Sequence, residues 1–377
     1  MAGNRRVIDS MIRSVRILSV VGARPQFVKL APIAAAVTAA GHEHVIVHTG
    51  QHYDPELSGV FFSGLGIPEP DERLHLVSDG RSGSGGHGGQ TGAMLAALDP
   101  ILAKHEPDWV LVYGDTNSTI AGALSAVKLH LPVAHLEAGL RSFNRRMPEE
   151  HNRVLTDHAA DLLLAPTPQA VEHLEREGLG ARTVMVGDVM VDACLRARDR
   201  AAGGSESPAP GVDPCAPYLV ATIHRAENTD EPARLAAIVD ALAALPVPVA
   251  LLAHPRLRAR AAEHGIELER GAIRVGPPLP YAQLVAALTG SVGVVTDSGG
   301  LQKEAYILAR PCTTVRTETE WPETLVDGWN VLVEPGSASF GESATRPAPA
   351  TPPGEPYGDG RAAERVVSEL ERAARSR

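Results

Sequence analysis

The chain has 377 residues, of which 44% are hydrophobic and 4% aromatic, and its formal net charge is −10. This length exceeds what one hydrophobic core usually organises, so we expect two domains. The negative charge argues against a general nucleic-acid-binding protein, because such proteins need basic surface to displace counterions from phosphates.

No part of the sequence predicts a membrane or secretory segment. No apolar run reaches the roughly 18 residues that suggest a transmembrane helix, and the amino-terminal segment MAGNRRVIDSMIRSVR carries four arginines without the apolar core of a signal peptide. The cysteines Cys194, Cys215 and Cys312 lack metal-ligand spacing, and we expect each to be a small core residue of a reduced protein. We therefore expect a cytoplasmic protein that has no membrane partner.

Short β-rich runs alternate with segments of helical length in the first half of the chain. The run 16–21 is followed by the loop GARPQFVKLAP and an alanine-rich helical pattern to residue 40. Further strands are predicted at 45–48, 109–113, 131–136, 162–165 and 184–186. This alternation predicts a doubly wound parallel sheet. The glycine-rich stretch 78–92 predicts a mobile loop that leads into a helix beginning near Gln90.

The alternation restarts after a low-complexity connector at 201–217. The second half predicts strands at 218–222, 247–253, 273–275 and 292–296 and a helix at 231–245. A Pro/Ala/Ser-rich tract from Gly336 predicts a flexible surface loop, and the chain then ends in an amphipathic helix. The predicted fold class is α/β, with two Rossmann-like domains and an interdomain cleft. The predicted domains are residues 1–180, with a C-terminal helix at about 360–377 packing back, and residues 181–359.

Charged and polar residues follow several predicted strands of the first half. Arg24 opens the helix after the first strand, where backbone N–H groups and the helix dipole favour an anion. Lys29, in the same helix, faces either the cleft or the solvent. Gln51 and His52 end the second strand. Asp115 follows the strand at 109–113, and the structural alternative for it is a helix N-cap.

The stretch from 135 to 153 is the densest in opposite charges. Glu137 directly follows a buried strand, and Glu149 and Arg153 lie at the start of a predicted helix. Ends of strands are the default position for chemistry in an open α/β sheet, and a carboxylate there needs a partner. The alternative is that Glu149 and Arg153 form an i,i+4 surface pair while Glu137 caps a turn.

The second half repeats the pattern of a strand followed by a polar cluster. Small residues that open a helix directly after the strand at 292–296 form a phosphate cradle, and Glu304 lies where it could accept hydrogen bonds from a ribose diol. The alternative for this element is a tight turn that packing requires. The candidate binding residues of this half are His224, Arg225, Asn228, His254, Ser298, Gly299, Gly300, Glu304 and Arg316.

Two domains with anion-binding loops, several carboxylates and one or two histidines point to a nucleoside diphosphate ligand. The sequence contains no GxGxxG fingerprint, no Walker A lysine and no cysteine in a recognisable nucleophile motif. We therefore expect acid/base or electrostatic chemistry that uses no cofactor and no metal.

Eight motifs resemble those of the non-hydrolysing UDP-N-acetylglucosamine 2-epimerases and occur in the same order: GARPQFVKLAP, TGQHYD, VYGDTNST, HLEAGLRS, MPEEHNR, ATIHRAEN, TDSGGLQKEA and TEWPE. The resemblance runs from about residue 16 to the final helix. It implies the glycosyltransferase-B fold, a homodimer and a UDP-sugar substrate. It also implies the interconversion of UDP-GlcNAc and UDP-ManNAc by anti elimination of UDP to 2-acetamidoglucal and syn re-addition.

The resemblance carries roles over to individual positions. Asp115, Glu137, Glu149 and His224 match catalytic residues of the family. Arg24, Lys29, Arg153, Ser298, Gly299, Gly300 and Glu304 match substrate-binding residues. We add Gln51, His52, Arg225, Asn228, His254 and Arg316 as predicted substrate contacts.

Some segments leave the substrate and its regulation open. RSFNRRMPEE and TEWPE also resemble epimerases that act on UDP-2,3-diacetamido-2,3-dideoxy-glucuronate, and QHYDPELSG replaces a QHREMLDQ-like segment that helps to bind an allosteric UDP-GlcNAc in bacterial members. The alternatives are therefore a 2-epimerase of that related nucleotide sugar, a UDP-sugar-dependent glycosyltransferase and a non-catalytic sensor of nucleotide sugars.

Overall fold

The computed structural model describes residues 14–51, 65–74, 86–201 and 209–377. The chain forms two compact units. The described part of unit 1 comprises residues 14–51, 67–74, 86–186 and Ala363–Arg377, and that of unit 2 comprises residues 65–66, 187–201 and 209–362. The domain limits stay a prediction, because a compact unit need not fold independently as a domain does.

Unit 1 is built on a parallel sheet that has seven strands within the described residues. They are β1 (Arg16–Val21), β2 (Glu43–His48), β3 (Glu72–Arg73), β4 (Trp109–Tyr113), β5 (Val133–Leu136), β6 (Leu162–Ala165) and β7 (Thr183–Met185). Their order is β3-β2-β1-β4-β5-β6-β7, so the chain adds strands first on one side of β1 and then on the other. The loops after β1 and β4 therefore lie at a topological switch point, where open α/β sheets bind ligands.

Helices connect these strands. They are α1 (Arg24–Ala39), α2 (His87–His105), α3 (Asn117–Lys128), α4 (Pro148–Ala159) and α5 (Pro168–Arg176), and a 3-10 helix spans Gly180–Arg182. All residues of β4, β5 and β6 are buried, as expected for parallel strands that are covered on both faces.

Unit 2 contains a second parallel sheet, which has six strands in the part that the structure describes. They are β8 (Leu219–Thr222), β9 (Val249–Leu252), β10 (Ile273–Gly276), β11 (Gly293–Thr296), β12 (Cys312–Thr314) and β13 (Asn330–Leu332). Their order is β10-β9-β8-β11-β12-β13. The switch point lies between β8 and β11, so the loops after these two strands are the counterpart of the loops after β1 and β4.

The remaining helices are α6 (Val189–Ala201), α7 (Ala226–Thr229), α8 (Pro232–Ala243), α9 (Pro255–Glu263), α10 (Tyr281–Gly290), α11 (Gly299–Ile307), α12 (Phe340–Ala344) and α13 (Ala362–Arg375), with a 3-10 segment at Pro322–Gly328. Nearly all of α13 belongs to unit 1. There Trp109 Nε1 donates to the carbonyl oxygen of Leu370 at 3.0 Å, and the Arg377 guanidinium lies 4.3 Å from the centroid of the Trp109 ring. None of the helices in the described ranges is long and apolar enough to cross a membrane.

The α/β prediction, with two Rossmann-like parallel sheets, is confirmed. The strands β3, β12 and β13 were not predicted. They are two or three residues long, which is too short to show a strand pattern in the sequence.

Two predictions of irregular structure are wrong. Helix α2 begins at His87, so residues 87–92 are helical rather than a loop, while residues 75–85 lie outside the described residues. The tract from Gly336 is packed: Phe340 is buried in α12, and the Arg346 guanidinium donates to the carbonyl oxygens of Cys312 and Trp329 at 2.7 and 3.0 Å. Cys215 is exposed, whereas Cys194 and Cys312 are buried as predicted.

Candidate active site

The loops at the switch point of unit 1 are joined by one buried side chain, that of Gln26. Its Oε1 accepts hydrogen bonds from the backbone N–H groups of Gly22 and Ala23 at 2.8 and 3.0 Å. Its Nε2 donates to the carbonyl oxygen of Tyr113 at 2.8 Å and to Thr119 Oγ1 at 3.1 Å. All four groups of the amide are therefore used to hold the loop after β1 against the loop after β4.

Lys29 and Glu137 form an ion pair beside this junction. Lys29 is a buried residue of α1, and its Nζ contacts Glu137 Oε2, so the solvent-facing orientation is wrong. Glu137 directly follows β5, has φ of 71° and keeps only 13% of its side chain exposed. A Cβ at Gly114 would lie 3.0 Å from Glu137 Oε2, so glycine leaves room for the pair. Arg24 is the first residue of α1 and is exposed.

Asp115 is held by Arg153. Arg153 Nη2 pairs with Asp115 Oδ2, and Asn152 Nδ2 donates to the backbone carbonyl oxygen of Asp115 at 2.9 Å. The N-cap of α3 is Thr116, whose hydroxyl accepts from the backbone N–H of Thr119. The alternative that Asp115 is this N-cap is therefore wrong, and its carboxylate, 34% exposed, is left for another role.

Arg153 also binds Glu150 rather than Glu149. Its Nη1 lies 3.0 Å from Glu150 Oε2, so the alternative of a surface pair between Glu149 and Arg153 is wrong. Glu150 is buried and accepts from the backbone N–H groups of Ser142 and Phe143, both at 2.9 Å. Burial alone would raise the pKa of Glu150, but these hydrogen bonds and the charge of Arg153 bring it below its ordinary value. Glu149 remains half-buried in the first turn of α4.

A fully buried histidine lies behind these carboxylates. His135 Nδ1 is 2.6 Å from Asp157 Oδ1, and His135 Nε2 is 2.7 Å from the carbonyl oxygen of Gly114. The Asp157 carboxylate and the Gly114 carbonyl oxygen therefore hold the ring of His135 from both of its nitrogens. Asp157 also pairs with Arg141 at 2.7 Å and accepts from the backbone N–H of Gly139 at 3.1 Å. Burial alone would raise the pKa of Asp157, but His135 and Arg141 lower it.

Gln51 supports the start of α3. Its Oε1 accepts from the backbone N–H of Ser118 at 2.9 Å and from the Ser118 hydroxyl at 2.7 Å. A Cβ at Gly22 would overlap the hydroxyl oxygens of Thr49 and Ser118, so this close packing requires glycine. His52 lies outside the described residues.

A buried carboxylate organises the switch point of unit 2 in a different way. Asp297 directly follows β11, is fully buried and accepts from the backbone N–H groups of His224 and Arg225 at 3.0 and 2.9 Å. It also accepts from Asn228 Nδ2 at 3.0 Å and lies 3.1 Å from His224 Nδ1. Burial alone would raise the pKa of Asp297, but the hydrogen bonds from His224, Asn228 and Arg225 lower it.

Asn228 is a support in this arrangement rather than an exposed binding group. It is fully buried, its Nδ2 donates to Asp297 and to the carbonyl oxygen of Val315, and its Oδ1 accepts from Arg234 Nε at 2.8 Å. This geometry therefore does not favour the predicted direct contact between Asn228 and the substrate. His254 caps α9 through Nδ1, and its ring centroid lies 5.8 Å from that of His224.

Helix α11 begins directly after the loop that holds Asp297. Ser298 is its N-cap, and the Ser298 hydroxyl accepts from the backbone N–H of Leu301 at 3.4 Å. Gly299 and Gly300 form the first turn, and a Cβ at Gly299 would lie 2.5 Å from Glu320 Oε1, so packing also favours glycine there and the phosphate cradle stays a prediction. Next to this turn, Glu320 binds Arg316 and lies 3.2 Å from Arg225 Nη2. Two arginines therefore stand near the positive end of the helix dipole.

Glu304 is more deeply buried than the prediction of a ribose contact suggests. It is 6% exposed, and burial raises the pKa of its carboxyl to about 7. At neutral pH this side chain is therefore partly protonated and can donate as well as accept a hydrogen bond.

Three structural supports were missed by the sequence analysis: Gln26, the pair of His135 and Asp157, and Asp297. Asp297 alone had a local signal, because it directly follows a strand and precedes the predicted cradle. Within the described ranges, no group of three or more His, Cys, Asp and Glu side chains could hold a metal ion.

Comparison with known proteins gives concordant results. The chain is 45% identical over 365 residues to UDP-2,3-diacetamido-2,3-dideoxy-D-glucuronate 2-epimerase of Pseudomonas aeruginosa, a match that covers 94% of this chain and 99% of that protein. It is similar to the crystal structure of Methanocaldococcus jannaschii UDP-GlcNAc 2-epimerase in complex with UDP-GlcNAc and UDP, with a TM-score of 0.78, 36% identity and coverage of 94% and 99%. The calicheamicin glycosyltransferase CalG4, at a TM-score of 0.56, 17% identity and 97% coverage of both chains, shares the fold alone.

The two parallel sheets, with charged loops at both switch points, define a protein of the glycosyltransferase-B fold. The family model described as UDP-N-acetylglucosamine 2-epimerase matches residues 35–371. The chain therefore belongs to the UDP-N-acetylglucosamine 2-epimerase family and is an isomerase, which confirms the resemblance seen in the motifs.

Proposed function

We propose that this enzyme interconverts UDP-GlcNAc and UDP-ManNAc by anti elimination of UDP and syn re-addition to 2-acetamidoglucal. One observation carries the proposal. Asp115 and Glu137 follow adjacent strands, β4 and β5, and each is paired with a cation, Arg153 and Lys29 respectively. Inversion at C2 needs one group that removes a proton and another that returns it on the opposite face.

The order of events follows from the acidity of the C2 proton. No carbonyl group is adjacent to C2 in the ring, so a side chain cannot remove this proton from the neutral sugar at a useful rate. The C1–O bond to UDP must break ahead of proton transfer, and its electron pair leaves with UDP. The oxocarbenium character that develops at C1 is stabilised by nearby carboxylates. Loss of the C2 proton then forms the C1–C2 double bond of the glucal.

Within this proposal, Glu137 and Asp115 carry protons and Glu149 stabilises charge. Re-addition reverses the steps: a carboxyl group protonates C2 on the opposite face, and the UDP oxygen rebinds C1. Water must be excluded while the glucal exists, because its addition to C1 would make the enzyme a hydrolase.

The loops of unit 2 are assigned to UDP. The first turn of α11 at Ser298 offers backbone N–H groups and the positive end of a helix dipole to the diphosphate. Arg225 and His224 add side-chain donors. Arg24 is assigned to substrate binding, as the motif match implies. Glu304 is assigned to the ribose, where its neutral form donates and its ionised form accepts.

A second substrate, UDP-2,3-diacetamido-2,3-dideoxy-glucuronate, is favoured by a specific observation. The Pseudomonas relative of that name is 45% identical over nearly its whole length. Both sugars bear a 2-acetamido group and UDP at C1, so the same elimination applies to each. They differ at C3 and C6, and no residue is assigned to a substituent at either carbon.

Incubation of the enzyme with each UDP-sugar in D2O, followed by NMR of the sugar, tests the reaction and the substrate together. Epimerisation predicts deuterium at C2 and a mixture of gluco and manno forms. UDP-GlcNAc that remains unlabelled after long incubation would refute the first substrate. If the diacetamido sugar were also unlabelled, the proposed reaction would fail for both.

The same proposal includes a homodimer and a cytoplasmic location. Light scattering on the purified protein tests the first: a dimer of the 39.7 kDa chain has about twice that mass. A monomer that retains full turnover would contradict it. Fractionation of the source cells tests the second.

A further inference from the structure

His224 and Asp297 form a contact that the family motifs do not explain. His224 Nδ1 lies 3.1 Å from Asp297 Oδ1, and Asp297 is fully buried while 39% of the His224 side chain remains exposed. Because Asp297 accepts from several N–H groups and its pKa lies below its usual range, its carboxylate is ionised and cannot donate. A hydrogen bond between the two groups therefore requires a proton on His224 Nδ1.

We propose that Asp297 is a positioning residue that acts through His224. It fixes the Nδ1–H tautomer, sets the plane of the ring and so directs Nε2 to the leaving diphosphate. This inference rests on the proposed function for its catalytic part, but the tautomer itself is a property of the protein without substrate. The same carboxylate also orients the backbone N–H groups of His224 and Arg225.

When the C1–O bond breaks, negative charge grows on the β-phosphate of UDP. In its imidazolium form His224 keeps Nδ1–H toward Asp297 and donates Nε2–H to a phosphate oxygen; both protons stay on the ring, and the Asp297 carboxylate balances the positive charge that the ring already carries. In the reverse direction the hydrogen bond weakens as the UDP oxygen rebinds C1.

A merely structural role for Asp297 predicts a different pattern of effects. If Asp297 only shaped the loop, its replacement would weaken the protein or its affinity for UDP whether or not His224 were present. If Asp297 acts through His224, replacing Asp297 has no further effect on turnover in a protein that already lacks His224. This difference can be measured.

The first experiment is ¹⁵N NMR of the wild-type enzyme labelled at histidine, with the His224 signals assigned by their loss in His224→Gln. A proton on Nδ1 is expected, and it should be lost or exchanged in Asp297→Asn. A wild-type His224 that carries its neutral-form proton on Nε2 overturns the proposal. This result does not depend on any turnover, so it remains informative if the proposed reaction fails, and the wild-type measurement does not need the variant to fold.

The second experiment is a double-mutant cycle on kcat. Asp297→Asn is expected to lower kcat by at least about 100-fold, since loss of the orienting carboxylate in a comparable dyad costs more than this. The double variant Asp297→Asn/His224→Gln should match His224→Gln within about twofold. Multiplicative losses overturn the proposal.

Asp188→Asn provides a matched control for loss of a buried carboxylate in unit 2. Asp188 is 4% exposed, pairs with Lys303 and accepts from the backbone N–H of Met190 at 2.8 Å. Its replacement is expected to lower the unfolding midpoint while kcat changes by less than about threefold. A loss of kcat equal to that of Asp297→Asn would show that burial of a carboxylate, not its contact with His224, explains the effect.

Discussion

Each unit holds a histidine against a buried aspartate, but the two pairs are used in opposite ways. His135 binds through both ring nitrogens, to Asp157 and to the carbonyl oxygen of Gly114, and its side chain is 0% exposed. His224 binds Asp297 through Nδ1, and 39% of its side chain is exposed. His135 therefore fixes the backbone at Gly114, whereas a partly exposed histidine such as His224 can contact a ligand.

The partners of the two aspartates differ as well. Asp157 is bound by His135 and by the cationic side chain of Arg141, whereas Asp297 is bound mainly by neutral N–H groups. The pair in unit 1 therefore neutralises buried charge, and the pair in unit 2 organises donors around a loop. This difference predicts that catalysis and stability respond differently in the two units.

The largest effect is expected for Glu137→Gln, which removes the proposed proton carrier supported by the loops of unit 1. It should lower kcat by about 10³-fold or more and leave the affinity for UDP within about threefold, because Glu137 is assigned to proton transfer and not to a contact with UDP. Steady-state kinetics and calorimetry with UDP measure the two quantities.

Glu172→Gln is the matched control for this change. Glu172 forms an exposed i,i+4 pair with Arg176 at 3.0 Å, so its replacement should leave kcat and UDP affinity unchanged. Near-normal turnover of Glu137→Gln would return Glu137 to a structural role.

Asp157→Asn should destabilise the protein more than Asp297→Asn. Asp157→Asn removes the buried charge that faces His135 and Arg141, at a cost of up to about 3–5 kcal/mol because Arg141 keeps Glu177 as a partner, whereas Asp297→Asn weakens hydrogen bonds from neutral donors, at about 1–3 kcal/mol. Urea unfolding at neutral pH measures both losses. Equal losses would mean that the two pairs do not differ in the charge that they neutralise.

A smaller effect concerns pH and Glu304 in unit 2. Because burial raises the pKa of Glu304 from 4.5 to about 7, the folded state binds this proton more tightly than the unfolded state. The resulting stabilisation is complete below pH 4.5 and is lost as the pH rises through 7. Between pH 5 and 8 the wild type should lose on the order of 2–3 kcal/mol more than Glu304→Gln. Parallel pH profiles of the two proteins in urea unfolding would contradict this expectation.

The candidate catalytic carboxylates of unit 1 could be proposed from the sequence because their signal is local. Asp115 and Glu137 stand directly after apolar strands, and a charged residue at such a place is visible in the sequence. Their cationic partners were not assigned from the sequence, since Lys29 and Glu137 are 108 residues apart and Arg153 and Asp115 are 38 apart. Pairing over such distances depends on the order of strands in the sheet.

The supports were harder to predict for the same reason. His135 reads as part of an apolar strand, and nothing within its own segment indicates Asp157, which lies on the following helix. Helix α2 was predicted to begin too late because Gly88 and Gly89 have low helix propensity, which the packing of Met94, Leu98 and Leu102 overrides. The tract from Gly336 was misjudged because its prolines and alanines suggest flexibility, while Phe340 and Arg346 anchor it.

The most direct test of the proposed chemistry follows the oxygen that joins the sugar to UDP. UDP-GlcNAc carrying ¹⁸O in the bridge between C1 and the β-phosphate is incubated with the wild-type enzyme, and the β-phosphate is examined by ³¹P NMR. Elimination of UDP predicts that the label moves from the bridging to the non-bridging β-phosphate positions while the C2 epimers interconvert, provided that the phosphate group rotates before re-addition. Cleavage of the C1–O bond would be contradicted if the epimers interconverted while the label stayed entirely in the bridge. This must hold both in the wild type and in variants with slowed re-addition.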